Sequence, residues 1–244
     1  MDLTERGAST RRHPWEVQRF EAYRRILADH GALASWRVLD VGAGDGWFAD
    51  SLRPSLPDDA DVVCWDIHYD DNDLEPRADG MVRTRDEPTP GFDLVLALDV
   101  LEHVPDAASF VTGTLSRLTR PGAAVLVAVP AYQQLFSGHD EALGHHRRYS
   151  RDRLLAEITP WVDVAEHGSL FTSLLVPRSV AVGAERLLPR RAEAEHGVGR
   201  WDHGDRFTRL VGGALAIDAR LGRLAGRVGV RLPGLSHWAF GVAR

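Results

Sequence analysis

The stretch Val38-Leu39-Asp40-Val41-Gly42-Ala43-Gly44-Asp45-Gly46 carries an apolar strand straight into three alternating glycines and then into a helix. Few folds accept that order. Val38, Leu39 and Val41 read as a strand buried in a parallel sheet, while Gly42, Gly44 and Gly46 let the backbone turn sharply and approach a ligand more closely than a β-carbon permits. The following helix points its free N–H groups at the same ligand. A nicotinamide or flavin loop wants glycine at its first, third and sixth positions, but here Trp47 holds the sixth and glycine returns at the fifth. Asp40, inside the strand, is expected to order the loop by accepting hydrogen bonds from its amides.

The rest of the chain alternates strands and helices, which implies a parallel sheet with helices on both faces. A helix is expected over Trp15–Asp29, ended by Gly31, and another from Trp47 to Leu52, stopped by Pro54. Strands are expected at Val62–Trp65, Gly80–Thr84, Phe92–Leu98 and Ala123–Val129, with a helix over Ala107–Leu118 between the last two. Beyond Pro130 a polar loop reaches Tyr149, Ser150 caps a helix over Arg151–Ile158, and Val162–Glu166 forms a sixth strand. Two helical stretches follow, near Leu174–Leu188 and Arg206–Val228, before a final strand at His237–Ala243.

Composition narrows the function. At 244 residues and 44% hydrophobic the chain can bury one large core, so a single α/β domain is expected. A net charge of -6 argues against the basic face that nucleic acid needs and favours a small-molecule partner. All 29 basic residues are arginine, which excludes lysine chemistry and offers planar forks for carboxylates or phosphates. The single cysteine, Cys64, can form no internal disulfide and fits a reducing cytoplasm, the expected location. Met1–His13 has no apolar signal core, and the apolar stretch from Leu170 to Val182 is too short and too interrupted to cross a bilayer, which takes roughly 18 to 20 residues.

Asp66 closes the second strand about twenty residues past the glycine loop, where a carboxylate accepts both ribose hydroxyls of a nucleoside. With Leu-Asp-Val before it, the Gly-x-Gly-x-Gly loop resembles the first motif of class I S-adenosylmethionine-dependent methyltransferases. The segment Phe92 to Val104, with Asp99-Val100-Leu101-Glu102-His103 at its end, resembles the fourth motif of the same enzymes. The resemblance implies a Rossmann-like seven-stranded sheet whose last strand returns antiparallel beside the fifth. It divides the chain into an N-terminal helical cap (1–35), a cofactor-binding core (36–168), a helical lid insertion (169–232) and a final strand (233–244). It also implies S-adenosyl-L-methionine as cofactor and S-adenosyl-L-homocysteine as product.

On that resemblance Asp40, Gly42, Ala43, Gly44, Gly46, Asp66, Ile67, Asp86, Asp99 and Val100 line the cofactor. Asp99 meets its ammonium or sulfonium side, and Asp86 the adenine amino group. Ile67 either covers the adenine face or packs in the core, Trp47 either packs beside the cofactor or starts its helix as a core aromatic, and Glu102 is either functional or an acidic helix start.

The segment Ser137 to Tyr149 resembles the His-Asp…Gly-His-x-Arg-Arg-Tyr segment of a bacterial branch of these enzymes. Three readings stand for it. Histidines near Asp140 could hold a metal, but no tight ligand spacing or thiolate supports one, and no metal is assigned. Arg147 and Arg148, with Trp15 and Tyr132, could bind substrate while His139, His145, His146 or Tyr149 acts in catalysis. Alternatively an arginine pairs with Asp140 or Glu141 and only shapes the loop.

The expected activity is in-line methyl transfer to a small, anionic or partly apolar acceptor, with oxygen favoured. A binding protein without turnover is the alternative, and an NAD(P)-dependent oxidoreductase is disfavoured by Trp47. The helical interval from Ser169 to Val230 is a lid, a dimer face or a dock for a lipid-linked acceptor, and the chain is a monomer or homodimer.

Overall fold

The computed structural model describes residues 12–77, 80–187, 201 and 203–244. Its centre is a seven-stranded sheet in the order β3-β2-β1-β4-β5-β7-β6. The strands are β1 (Arg37–Val41), β2 (Asp61–Trp65), β3 (Val82–Thr84), β4 (Phe92–Leu98), β5 (Thr119–Pro130), β6 (Val162–Leu170) and β7 (Ser236–Ala243). β1 through β5 pair in parallel, and β7 inserts antiparallel between β5 and β6. Strand order reverses between β1 and β4, so the crevice where such sheets bind ligands opens at the carboxyl ends of those two strands.

Side chains alternate along each strand and so build two core layers. Val38, Val62, Leu94 and Leu96 face a layer with Tyr23, Leu27, Leu52 and Phe240, while Leu39, Val63, Phe92 and Val95 face one with Leu101, Leu115, Leu154 and Ile158. The helices are α1 (Pro14–Asp29), α2 (Trp47–Leu52), α3 (Ala107–Phe110), α4 (Ser116–Leu118), α5 (Gly138–Ala142), α6 (Arg151–Ile158), α7 (Leu175–Leu187) and α8 (Asp205–Arg227). His13 caps α1: its ring accepts from the Trp15 N–H, and Glu16 reaches back to the His13 N–H. α8 packs along α1 and against β6. No helix of the described residues is long and apolar enough to cross a membrane.

Several boundaries differ from the sequence reading. β3 starts at Val82 rather than Gly80, and the helix expected over 107–118 contains a π turn at Val111–Leu115 that separates α3 from α4. β5 begins at Thr119, four residues early, with its register against β4 shifted between Phe92 and Leu94. β6 continues to Leu170 rather than Glu166, because Ser169 and Leu170 pair with His237 and Ser236. That extension is invisible locally: β6 is largely half-exposed, and its hydrogen-bond partner comes from the far end of the chain. Leu188, the expected end of the first lid helix, lies outside the described residues.

Candidate active site

All three glycines of the loop adopt left-handed backbone, with φ of 61° at Gly42, 56° at Gly44 and 76° at Gly46. A β-carbon on Gly42 would stand 2.9 Å from Cγ2 of Val100, so Gly42 and Val100 close on one another at the carboxyl ends of β1 and β4. The N–H groups of Gly42 and Ala43 donate to the Trp65 carbonyl at 2.7 and 3.3 Å, which ties the loop to the end of β2. Gly44 N–H donates to Asp66 Oδ2 at 2.9 Å, and His68 N–H to Asp66 Oδ1 at 2.9 Å. Asp66 therefore orders this loop, where the sequence reading gave the task to Asp40. A carboxylate has about four lone-pair positions, so Asp66 can still accept from a ligand.

Asp40 is 2% exposed, and its Oδ2 has no hydrogen-bond partner. Burial, reinforced by Asp66, pushes its carboxyl up to about 7. Ala43 is buried in the core layer that holds Val38 and Tyr23 and faces the loop only with its backbone. Ile67, by contrast, is 69% exposed beside Asp66, so core packing is not its role. Asp86 is exposed in the turn after β3, where its N–H donates to Thr84 Oγ1. Trp47 is half-buried at the start of α2, edge-on to Phe20 and beneath the Arg12 guanidinium.

At the end of β4 the chain turns on Asp99, a non-glycine residue with φ of 56° whose N–H donates to the Ala128 carbonyl. Arg19 of α1 forms an ion pair with Asp99, and its guanidinium lies 4.4 Å from the centre of the Trp15 ring. Burial lowers the Arg19 pKa, but Asp99 outweighs it and raises the value overall. Trp15 is thereby linked through Arg19 to Asp99 at the end of β4.

Three residues on, Glu102 is wholly buried and neither carboxylate oxygen has a hydrogen-bond partner. Burial and the neighbouring Asp99 raise its pKa well above the ordinary range. It does not start a helix, since Asp106 caps α3 by accepting from Ser109 N–H. One ligand atom each from Glu102, His103 and His145 lie within 4.8 Å of one another, and the two imidazoles meet edge to face with centroids 4.6 Å apart.

The loop from Ser137 to Tyr149 is organised by Asp140, which is fully buried. Asp140 accepts from Arg148 Nε at 2.7 Å, Arg178 Nη2 at 3.2 Å and Ser137 N–H at 3.0 Å, with His145 Nδ1 at 3.0 Å. Burial pushes its carboxyl up, but the bonds from His145 and Arg148 outweigh burial and hold it below the ordinary range. Arg147 donates to the carbonyls of Val104 and Pro105 at 2.8 and 2.6 Å. Both arginines expected to clamp a substrate are therefore engaged by the protein itself.

Tyr149 is fully buried, with its hydroxyl 3.1 Å from the Leu101 carbonyl and 3.0 Å from Glu157 Oε2. The His146 side chain is exposed while its N–H donates to the Glu102 carbonyl. His139 keeps a buried Nδ1 without a partner, and burial followed by Arg178 lowers its pKa. Of the three candidate histidines, His145 alone is among the groups gathered at Glu102. Arg178 escaped the sequence reading: it comes from α7, and no local pattern ties it to Asp140.

Tyr132, at φ 64°, sets its ring edge-on to His237. It opens on a cavity of about 320 Å³ lined by Ile26, Leu170, Ala219, His237 and Trp238, between α1, α8 and the ends of β6 and β7.

The methyltransferase-domain family matches residues 15–174. An uncharacterized methyltransferase of Mycobacterium leprae is 30% identical over 132 residues, 49% of this chain and 47% of that protein. A ubiquinone biosynthesis O-methyltransferase of Methylococcus capsulatus is 32% identical over 118 residues, 41% of this chain and 46% of that protein. The chain spans about half the length of the curated relatives it matches. A SAM-dependent methyltransferase from Archaeoglobus fulgidus shares the fold, with a TM-score of 0.52 at 12% identity over 92% of this chain and 94% of that one. With motif, sheet order and family match in agreement, the chain belongs to the methyltransferase-domain family of class I S-adenosylmethionine-dependent enzymes.

Proposed function

We propose that this chain transfers a methyl group from S-adenosylmethionine to an oxygen of a small, anionic or partly apolar acceptor. The observation that carries the reading is the glycine loop, held in left-handed backbone and fastened to Asp66, facing Val100 and Asp99 across the switch point of the sheet. The residues fit the cofactor: Gly42, Gly44 and Gly46 hold the left-handed backbone that a tight turn against a ligand requires, Asp66 retains lone pairs for ribose hydroxyls, and exposed Ile67 is free to cover an adenine face. Asp86 is assigned to the adenine amino group, and Asp99, shared with Arg19, to the ammonium end. When bound, S-adenosylmethionine supplies a sulfonium methyl open to attack in line with its carbon–sulfur bond.

The protein's part is then positioning and exclusion of water, effects that supply roughly 7 to 11 kcal/mol of barrier lowering. Trp15 and Arg19 cover the mouth from α1, and the interval carrying α7 and α8 serves as a lid, supported by α8 lying on α1 and Arg178 reaching Asp140. The acceptor oxygen is activated at the corner of Glu102, His103 and His145, next to Asp99. Oxygen is favoured by this corner and by the relative named as an O-methyltransferase.

Calorimetry with S-adenosylhomocysteine and NAD tests the cofactor. Binding of the first and none of the second is expected, with Asp66→Ala weakening it at least tenfold while the fold persists. Tight NAD binding, or unchanged affinity in Asp66→Ala, would sink the reading. Label transfer from methyl-tritiated cofactor to a panel of hydroxylated acids separates an enzyme from a binding protein without turnover.

A further inference from the structure

We infer that Glu102, His103 and His145 form a binding site for one divalent transition-metal cation. Two observations meet there. The ligand atoms of the three side chains already lie within 4.8 Å of one another, and two metal–ligand bonds of about 2.1 Å span some 4.2 Å, so small side-chain rotations complete the set. Independently, Glu102 is fully buried with both carboxylate oxygens lacking any partner, a costly arrangement that a bound cation removes.

The surroundings are those of a metal-ligating histidine. His145 uses Nδ1 on Asp140, which leaves Nε2 as the ligand atom, and Asp140 is itself pinned by Arg148, Arg178 and Ser137. A carboxylate behind a ligating imidazole fixes its tautomer and raises its basicity. The His146 N–H bond to the Glu102 carbonyl fastens the two contributing segments together. Arg19 and Arg148 are the nearby positive groups, and each already has a carboxylate partner, Asp99 and Asp140.

Two imidazoles and one carboxylate suit Zn²⁺, Fe²⁺, Co²⁺ or Mn²⁺ better than Mg²⁺ or Ca²⁺, which want oxygen ligands. Three protein ligands leave coordination positions open. The use of the ion rests on the methyl-transfer reading, for there it would lower the pKa of an acceptor hydroxyl. Its binding does not rest on that reading.

Tag-free protein stripped with chelator is titrated with Co²⁺, followed by visible absorption, and with Zn²⁺ and Mg²⁺ by calorimetry. One saturable equivalent of Co²⁺ and Zn²⁺ is expected, with Mg²⁺ at least a hundredfold weaker. Glu102→Gln and His145→Ala should each weaken Zn²⁺ at least tenfold, and Asp140→Asn about 10- to 100-fold. Circular dichroism checks the fold of each variant, with His103→Ala in reserve should one fail. Folded wild-type protein that takes up no stoichiometric Co²⁺ or Zn²⁺, or variants that bind as tightly as wild type, would overturn the site. S-adenosylhomocysteine titrated into the same wild-type sample separates the two readings: metal binding without cofactor binding leaves the site standing and removes methyl transfer.

Discussion

At the scale of single residues, backbone angle and burial decide which motif positions can change. Gly42 is held at φ 61° with Val100 waiting 2.9 Å from any β-carbon, so Gly42→Ala combines a left-handed penalty of about 1–2 kcal/mol with a steric clash. A melting temperature several degrees lower and at least tenfold weaker S-adenosylhomocysteine binding are expected, by thermal denaturation and calorimetry. Asp40 gives a prediction with a definite sign. Its carboxyl is raised from near 3.9 to about 7 by burial, so the folded state binds a proton the unfolded state releases. Wild-type stability should fall between about pH 4 and pH 7, by on the order of 4 kcal/mol. Asp40→Asn should lose this component of the fall and keep the one due to the likewise raised Glu102, and parallel urea midpoints for the two proteins across that range would contradict the assignment.

At the scale of elements, the loop between β5 and α6 behaves as one unit because its polar side chains bond inward. Asp140 gathers Arg148, His145, Ser137 and, from α7, Arg178. Its carboxyl is depressed, so its contribution to stability is complete above about pH 5 and is lost as pH falls below 4 toward the folded value. Removing one partner of a buried pair typically costs about 3–5 kcal/mol, and Asp140→Ala, which strips both arginines, should lie at the upper end by urea denaturation. Tyr149 belongs to the same unit as a strut between Leu101 and Glu157. Tyr149→Phe should lose about 1 kcal/mol of stability and keep kcat within twofold. A hundredfold fall in kcat with the fold intact would return that hydroxyl to the chemistry.

At the scale of the whole molecule, β7 closes the sheet by pairing with β5 on one side and β6 on the other. A β-carbon on Gly241 would fall 2.4 Å from the Asp163 carbonyl, so Gly241→Val should prevent that closure, giving a broad, non-cooperative melt and aggregates on size exclusion. The sequence by itself determined the parallel sheet, the glycine turn, Asp66 at the end of β2 and the family, because each depends on spacing within one or two adjacent elements. It misassigned the loop-ordering carboxylate, since Asp40 inside β1 and Asp66 just past β2 are both acids beside the loop and only the hydrogen bonds made in the fold separate them. It also left Arg147 and Arg148 open to a substrate role and Tyr149 to a catalytic one, because the partners that occupy them, Val104, Asp140, Leu101 and Glu157, are brought in by the fold. The junction of Glu102 and His103 with His145 was decided by tertiary structure alone. A ligand set split between the end of β4 and the loop after β5 has no characteristic spacing in the chain, and it exists only because parallel pairing of those strands puts their carboxyl ends side by side.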